Sequence, residues 1–202
     1  MKRTLLRLLL AFICFNAAPG LNAAKAACYQ DTTVSDTTPV RTAKDGRAYP
    51  VLPANPDRLF YLQRSTNINA LSYDINIDKS TGKLNEDLPI HVYWLRYAEG
   101  HGEPSELTYV QRKFAYGITS KPLGNNQYEI RILSYKKFPL TLMKAADGKY
   151  HIFAVLSKKQ IQLQNIFIQI EGGAIWSPNV IFVEMKGTDP VTGKEVTERF
   201  KP

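Results

Sequence analysis

The sequence predicts an all-β fold, either a single β-sandwich or a partly closed β-barrel of about nine mostly antiparallel strands, with at most one short helix. From residue 58 onward, short runs rich in branched and aromatic residues are separated by turn-forming residues. Only the segment 106–116 has the three-and-four spacing of apolar residues that is typical of a helix. Chains of many short strands bury their apolar faces as sandwiches or barrels.

The first 26 residues have the order of a signal peptide. Positively charged residues open the segment, an apolar stretch follows at 5–15, and small residues lead to a cleavage site near Ala26/Ala27. The apolar stretch is too short to span a membrane. We therefore expect a periplasmic or secreted protein.

Cys28 makes a lipoprotein the alternative. The lipid-attachment signal requires an apolar residue three places before the cysteine, where this chain has Lys25. Plain secretion is therefore favoured over lipid attachment at Cys28. Once the leader is removed, Cys28 is the only cysteine, so the fold must be stable without an intramolecular disulfide.

Residues 27–56 are expected to form a polar N-terminal tether or a strap laid over the domain. They are poor in large apolar groups and contain Pro50, Pro53 and Pro56. Such a composition cannot bury enough apolar surface to fold alone. The remaining residues, 57–202, are long enough for a single β domain with its own core.

The net charge excludes one class of partner. The full chain carries +8, but the leader holds four cations and no acids, so the chain without it carries +4. A charge this small and dispersed is not that of a nucleic-acid-binding protein. Acidic and basic residues on the predicted outward strand faces also argue against an integral membrane protein.

The strand runs differ in their expected burial. Residues 71–77 alternate apolar and polar, which predicts a half-buried strand, and residues 128–132 show the same pattern. Residues 90–97 are apolar or aromatic on both faces, which predicts a strand that is central or covered on both sides. The apolar parity changes between Leu163 and Ile166, which predicts a bulge or break near Gln164 and Asn165.

The segment 106–116 is expected to hold the short helix. Leu107, Val110 and Phe114 are three and four residues apart. Ser105 could cap this helix, although Thr108 occupies the place of the capping-box acid. A strand over 115–119 would follow.

No known catalytic motif is present, and we predict neither a cofactor nor a metal. The sequence has no serine-hydrolase elbow, phosphate-binding loop or dinucleotide fingerprint. His91, His101 and His151 lack the spacing of metal ligands. No catalytic residue is therefore assigned.

A group of basic and aromatic residues is the candidate ligand site. Two of its arginines interrupt apolar runs, where a cation is costly unless it reaches water, an acid or an anionic ligand. Rings and guanidinium groups could together bind an anionic or sugar-like ligand. Alternatively, the rings are core residues past which the cations reach solvent. The group is Arg64, Tyr73, Trp94, Arg96, Lys113 and Tyr116.

We further predict that the strand carrying Arg64 lies beside the strand carrying Trp94 and Arg96. Trp94 and Arg96 are two residues apart, so they should project from one face of their strand.

Four segments resemble an uncharacterised bacterial family, the domain of unknown function 4833 family. The resemblance covers residues 57–200 and implies an exported, all-β protein, with no established activity. It assigns no role to any residue. The matching segments are RLFYLQRSTNINALSYDINID, LPIHVYWLRYAEG, LTYVQRKFAYGI and NVIFVEMKGTDPVTGKEVTE.

The expected function is that of an exported envelope protein acting as a non-catalytic ligand-binding or structural module. The expected partner is an envelope glycan, a lipid or a protein. The alternative is a hydrolase or other enzyme acting on envelope glycans or lipids, with an acid and a base from distant strands. A deep cleft holding paired carboxylates, or a carboxylate with a histidine, would favour the enzyme.

Overall fold

The computed structural model describes residues 41–174 and 177–202. The predicted signal peptide, its cleavage site and Cys28 lie outside the described residues, as does the tether before residue 41. The elements, in chain order, are β1 (Arg58–Arg64), β2 (Asn67–Ile75), β3 (Ile90–Arg96), β4 (Glu103–Glu106), α1 (Tyr109–Phe114), β5 (Ile118–Gly124), β6 (Gln127–Ile132), a 3-10 turn (Leu133–Tyr135), β7 (Leu140–Lys144), β8 (Tyr150–Leu156), β9 (Lys159–Ala174), β10 (Ser177–Thr188) and β11 (Glu195–Phe200).

The eleven strands within the described residues all belong to one open, curled sheet. Its main path runs β4-β3-β2-β1-β9-β8-β7-β6-β5, and β10 pairs with β9 and β11. Every pairing is antiparallel except that of β1 with β9. The expected all-β fold is confirmed in its partly closed form, as half a barrel rather than a two-sheet sandwich.

The core fills the concave side of the curl. It joins side chains from both ends of the sheet path, among them Trp94 of β3 and Ile130 of β6. The alternation predicted for 128–132 is confirmed in β6, where Tyr128, Ile130 and Ile132 are buried and their neighbours are half-buried.

The bulge predicted near Gln164 is confirmed. On the β10 side, Leu163 lies opposite Gly187 and Asn165 opposite Lys186, which leaves Gln164 as the extra residue. On its other side, β9 pairs with β8 up to Gln162 and with β1 from Asn165 onward, so it changes partner at the same place. The change of parity in the sequence therefore marks the position at which the long strand β9 stops pairing with β8 and begins to pair with β1.

The half-buried strand predicted for 71–77 is wrong on two counts. The strand ends at Ile75, and Ser72 and Asp74 on its expected wet face are buried. That face is covered because Asn55, from the segment before β1, and Arg58 both donate hydrogen bonds to it. Alternation in the sequence could not show that a second polar layer covers the strand.

The predicted short helix is confirmed, but the apolar residues expected to form its buried face are not buried within it. Its N-cap is Thr108 rather than Ser105, and Gln111 completes a capping box. Leu107 is buried before the helix begins, whereas Val110 and Phe114 are largely exposed. The strand expected at 115–119 begins at Ile118.

Candidate functional site

Two arginines reach the same end of the concave face from strands that are not neighbours. Arg64 lies two residues beyond core residue Leu62, and Arg96 two beyond Trp94, so each projects from the concave face. In the sheet, Leu71 of β2 lies opposite both Leu62 and Trp94. The prediction that the two strands adjoin is wrong, because a short turn makes β1 and β2 a hairpin and places β2 between them.

Both guanidinium groups nevertheless lie within 5.4 Å of the centre of one indole ring. The Cζ atom of Arg64 lies 5.0 Å from the centre of the Trp94 ring and 5.2 Å from that of Tyr116. The Cζ atom of Arg96 lies 5.4 Å from the Trp94 ring centre. The two rings pack edge to face with their centres 5.2 Å apart. We call Arg64, Trp94, Arg96 and Tyr116 the arginine–tryptophan cluster.

Arg64 is a half-buried cation without a nearby acid. Its Nη1 donates a hydrogen bond to the Tyr116 hydroxyl. Its Nε is buried and has no partner among the described residues, and none of their carboxylates lies within 4.0 Å of the group. A buried donor without an acceptor costs about 1–3 kcal/mol. The site thus holds a positive charge and a donor that the described fold does not satisfy.

Arg96 has only a loose partner. Its Nη1 lies 4.0 Å from the Glu99 carboxylate, and the two side chains are 35% and 59% exposed. Glu99 also accepts a hydrogen bond of 2.8 Å from Asn69. Exposed pairs of this kind contribute at most about 1 kcal/mol. With Arg64 and Arg96 on one side and Glu99 on the other, the cluster keeps an excess of positive charge.

α1 holds the indole in place. Trp94 Nε1 donates to Gln111 Oε1 at 3.3 Å, and the same oxygen accepts the Thr108 backbone N–H at 3.1 Å. Sequence reasoning missed Gln111 because it looked for an acid three residues after Ser105. The signal was present in Thr108-x-x-Gln111, since a capping box accepts Gln as well as Glu.

Tyr73 and Lys113, also expected at the site, have other positions. Tyr73 is fully buried and stacks on Phe60, with ring centres 4.3 Å apart. Its hydroxyl donates to the Tyr116 carbonyl at 3.0 Å, and burial raises the pKa of Tyr73 far above its ordinary value. Tyr73 therefore holds the backbone of Tyr116 from the core side of the cluster. Lys113 Nζ lies instead 5.3 Å from the Tyr109 ring centre, on the outer side of α1.

A second concave feature lies on the opposite face of β2 and β3. It is an open pocket of about 400 Å³, lined by Asp74, His91, Tyr93, Pro104, Ser105 and Glu106. We call it the outer pocket. His91 Nε2 lies 2.8 Å from a Glu106 oxygen, and the other Glu106 oxygen accepts from Arg112 at 2.8 Å.

The polar groups of the outer pocket are already paired with one another. Asp74 accepts from Ser72 at 2.6 Å, from Asn55 at 2.6 Å and from Tyr93 at 2.8 Å. Burial is the main cause that raises the pKa of Tyr93, and its hydrogen bond to Asp74 adds to it. Glu106 lies opposite Tyr93 whereas Ser105 lies opposite Trp94, so the serine hydroxyl projects from the other face. A serine–histidine–glutamate triad is therefore not formed here.

Two general features of the described residues complete the picture. In 41–174 and 177–202, no group of three or more His, Cys, Asp or Glu side chains could hold a metal ion. No helix of the same residues is long and apolar enough to cross a membrane.

Comparisons with known proteins identify the family. The search of curated proteins and the search of solved structures both found no match. A family model described as a domain of unknown function, DUF4833, matches residues 60–199, which is more than half of the chain. The matched region contains every residue of the arginine–tryptophan cluster and of the outer pocket. The chain therefore belongs to the DUF4833 family of proteins.

Proposed function

We propose that the protein is an exported, non-catalytic β module that binds an anionic ligand at the arginine–tryptophan cluster. The observation that carries the proposal is Arg64, a half-buried cation whose Nε has no hydrogen-bond partner among the described residues. Because the Nε atom is buried, binding must turn the guanidinium group outward, and an oxyanion of the ligand would then supply both the missing acceptor and the missing counter-charge.

The chemistry of the cluster favours a carboxylate or phosphate on a larger polar molecule. Two guanidinium groups that share one ring offer planar donor pairs matched to these anions. The Tyr116 hydroxyl accepts from Arg64, so its own proton is free to be donated to the ligand. The half-exposed Tyr116 ring adds a surface on which a sugar can lie. Acidic envelope glycans and phosphorylated lipid headgroups both carry this chemistry.

Calorimetric titration with two soluble probes tests the proposal and separates the two sources. A uronate-containing oligosaccharide represents the glycan, and glycerol phosphate represents the lipid headgroup. We expect one of them to bind, and Arg64→Met and Arg96→Met to lose the binding. Arg131→Met is the matched control, since its side chain is 33% exposed, close to the 35% of Arg96, and lies on β6. Equal affinity of all three variants would refute the proposed site.

Export is a separate part of the proposal and has its own test. Mass spectrometry of the protein recovered from its native host should find a mature N-terminus near Ala27. Retention of residues 2–20 would contradict export. A mass increase from acyl chains on Cys28 would replace simple secretion with lipid anchoring.

The outer pocket supports the alternative, an enzyme acting on envelope glycans or lipids. The pairing of His91 with Glu106 is the arrangement of a general base oriented by a carboxylate. Product release from acidic and neutral envelope glycans should then be lost in His91→Gln and retained in His101→Gln. Equal product release by the two variants would remove the outer pocket from consideration as a catalytic site.

A further inference from the structure

The outer surface of α1 exposes apolar and aromatic side chains that fold stability does not explain. Tyr109, Val110 and Phe114 are 70%, 63% and 65% exposed, and the helix has no buried residue. Scattered single apolar residues on a surface are ordinary, but three on six consecutive residues form a patch. The patch does not belong to the arginine–tryptophan cluster, to which α1 contributes only through the inner side chain of Gln111.

A cation stands among these rings. Lys113 Nζ donates to the Tyr109 hydroxyl at 2.9 Å and lies 5.3 Å and 5.7 Å from the ring centres of Tyr109 and Phe114. The first turn of α1 has no acid, and the nearby Arg112 is paired with Glu106 at 2.8 Å. A purely apolar partner would remove water from Lys113 without offering a counter-charge, which is costly. The partner must therefore combine apolar area with negative charge.

We infer that α1 docks on the surface of an anionic lipid bilayer, with Phe114 and Val110 entering the acyl boundary and Lys113 held at the phosphate level. Aromatic rings with a neighbouring lysine are the composition that settles at this boundary. An acidic protein is a weaker fit, since a stable protein interface takes about 800 Å² from each partner. A six-residue helix presents too little surface by itself, whereas a bilayer requires no matching shape.

Tryptophan emission can locate the helix at the membrane directly. The probe is the full chain with Phe114→Trp, mixed with vesicles of phosphatidylglycerol and phosphatidylcholine in a 3:7 ratio. Val191→Trp is the control, because Val191 is 90% exposed in the turn between β10 and β11. Both variants carry the same N-terminal segment and the same native tryptophans, so these contributions are common to the two.

We expect the emission of Phe114→Trp to shift to shorter wavelength with the anionic vesicles and that of Val191→Trp to stay unchanged. Adding Lys113→Glu to the Phe114→Trp chain should weaken vesicle binding by about 30-fold, because it changes the charge near the surface by two units. Equal shifts in the two tryptophan variants, or equal shifts with pure phosphatidylcholine, would overturn the inference. Concentration-dependent dimers that Phe114→Ala abolishes would also overturn it and assign the patch to a second copy of the chain.

Discussion

Replacing Arg64 by methionine tests whether its charge serves the fold or a ligand. Methionine keeps most of the length and apolar contact of the side chain but removes the guanidinium group. If the cation stabilises the fold, its loss should be strongly destabilising. If it is held for a ligand, the fold should tolerate the change.

The contacts allow the magnitude to be worked out. The change loses the hydrogen bond to Tyr116, worth about 1.5–3 kcal/mol for a charged donor, and cation–π contacts worth about 0.5–2 kcal/mol. It also removes the unpaired buried Nε, which costs about 1–3 kcal/mol. Burying a neutral thioether instead of a charge offsets much of the stability that is still lost after these contributions are combined. We expect the free energy of unfolding to change by at most about 1.5 kcal/mol, because these contributions oppose one another.

Chemical denaturation monitored by circular dichroism measures this change. Leu71→Ala calibrates the assay, since Leu71 is fully buried and its truncation should cost about 2–5 kcal/mol. If Arg64→Met loses as much stability as Leu71→Ala, the guanidinium is structural and the ligand interpretation of Arg64 is refuted.

Two further predictions concern the close approach of Gly117 to the backbone of α1 and the dependence of stability on pH. Gly117→Ala should destabilise the protein by about 2 kcal/mol or more, because a Cβ at this position would collide with the backbone carbonyl of Arg112. Thermal melting measures the change, and an unchanged melting temperature would contradict the prediction. Burial opposes ionisation of Glu184, yet hydrogen bonds from Arg199 and Arg41 outweigh it and lower the pKa of Glu184 below its ordinary 4.5. The contribution of the Glu184 carboxylate to stability is therefore complete above pH 4.5 and is lost as the pH falls through its lower folded-state pKa. The Glu184→Gln variant should accordingly lose less stability than the unchanged protein when the pH falls below 4.5. Denaturation series measured across pH check this expectation.

The fold was predictable where burial depends on neighbours in the sequence. Alternation located β6, and the parity change located the bulge at Gln164. Prediction failed for β2, because Ser72 and Asp74 are covered by residues from other segments. Long-range cover leaves no periodic signal in the strand that it buries.

The candidate site was predictable in its chemistry but not in its topology. A cation within an apolar run singled out Arg64 and Arg96, and the two-residue spacing placed Arg96 on the face of Trp94. Which strand lies beside which depends on the turn after β1, so the intervening β2 was missed. Lys113 was grouped with the cluster by composition, yet helix geometry directs it toward Tyr109.

The most direct measurement is the side-chain Nε–Hε resonance of Arg64 in nuclear magnetic resonance spectra. Because this N–H is buried and has no partner among the described residues, it should give a protected signal that Arg64→Met identifies by its loss. We expect the uronate oligosaccharide or glycerol phosphate to move this signal downfield and saturably, as the guanidinium group turns outward and an oxyanion accepts the hydrogen bond from Nε. A signal that stays fixed while the probe binds elsewhere on the protein would contradict it.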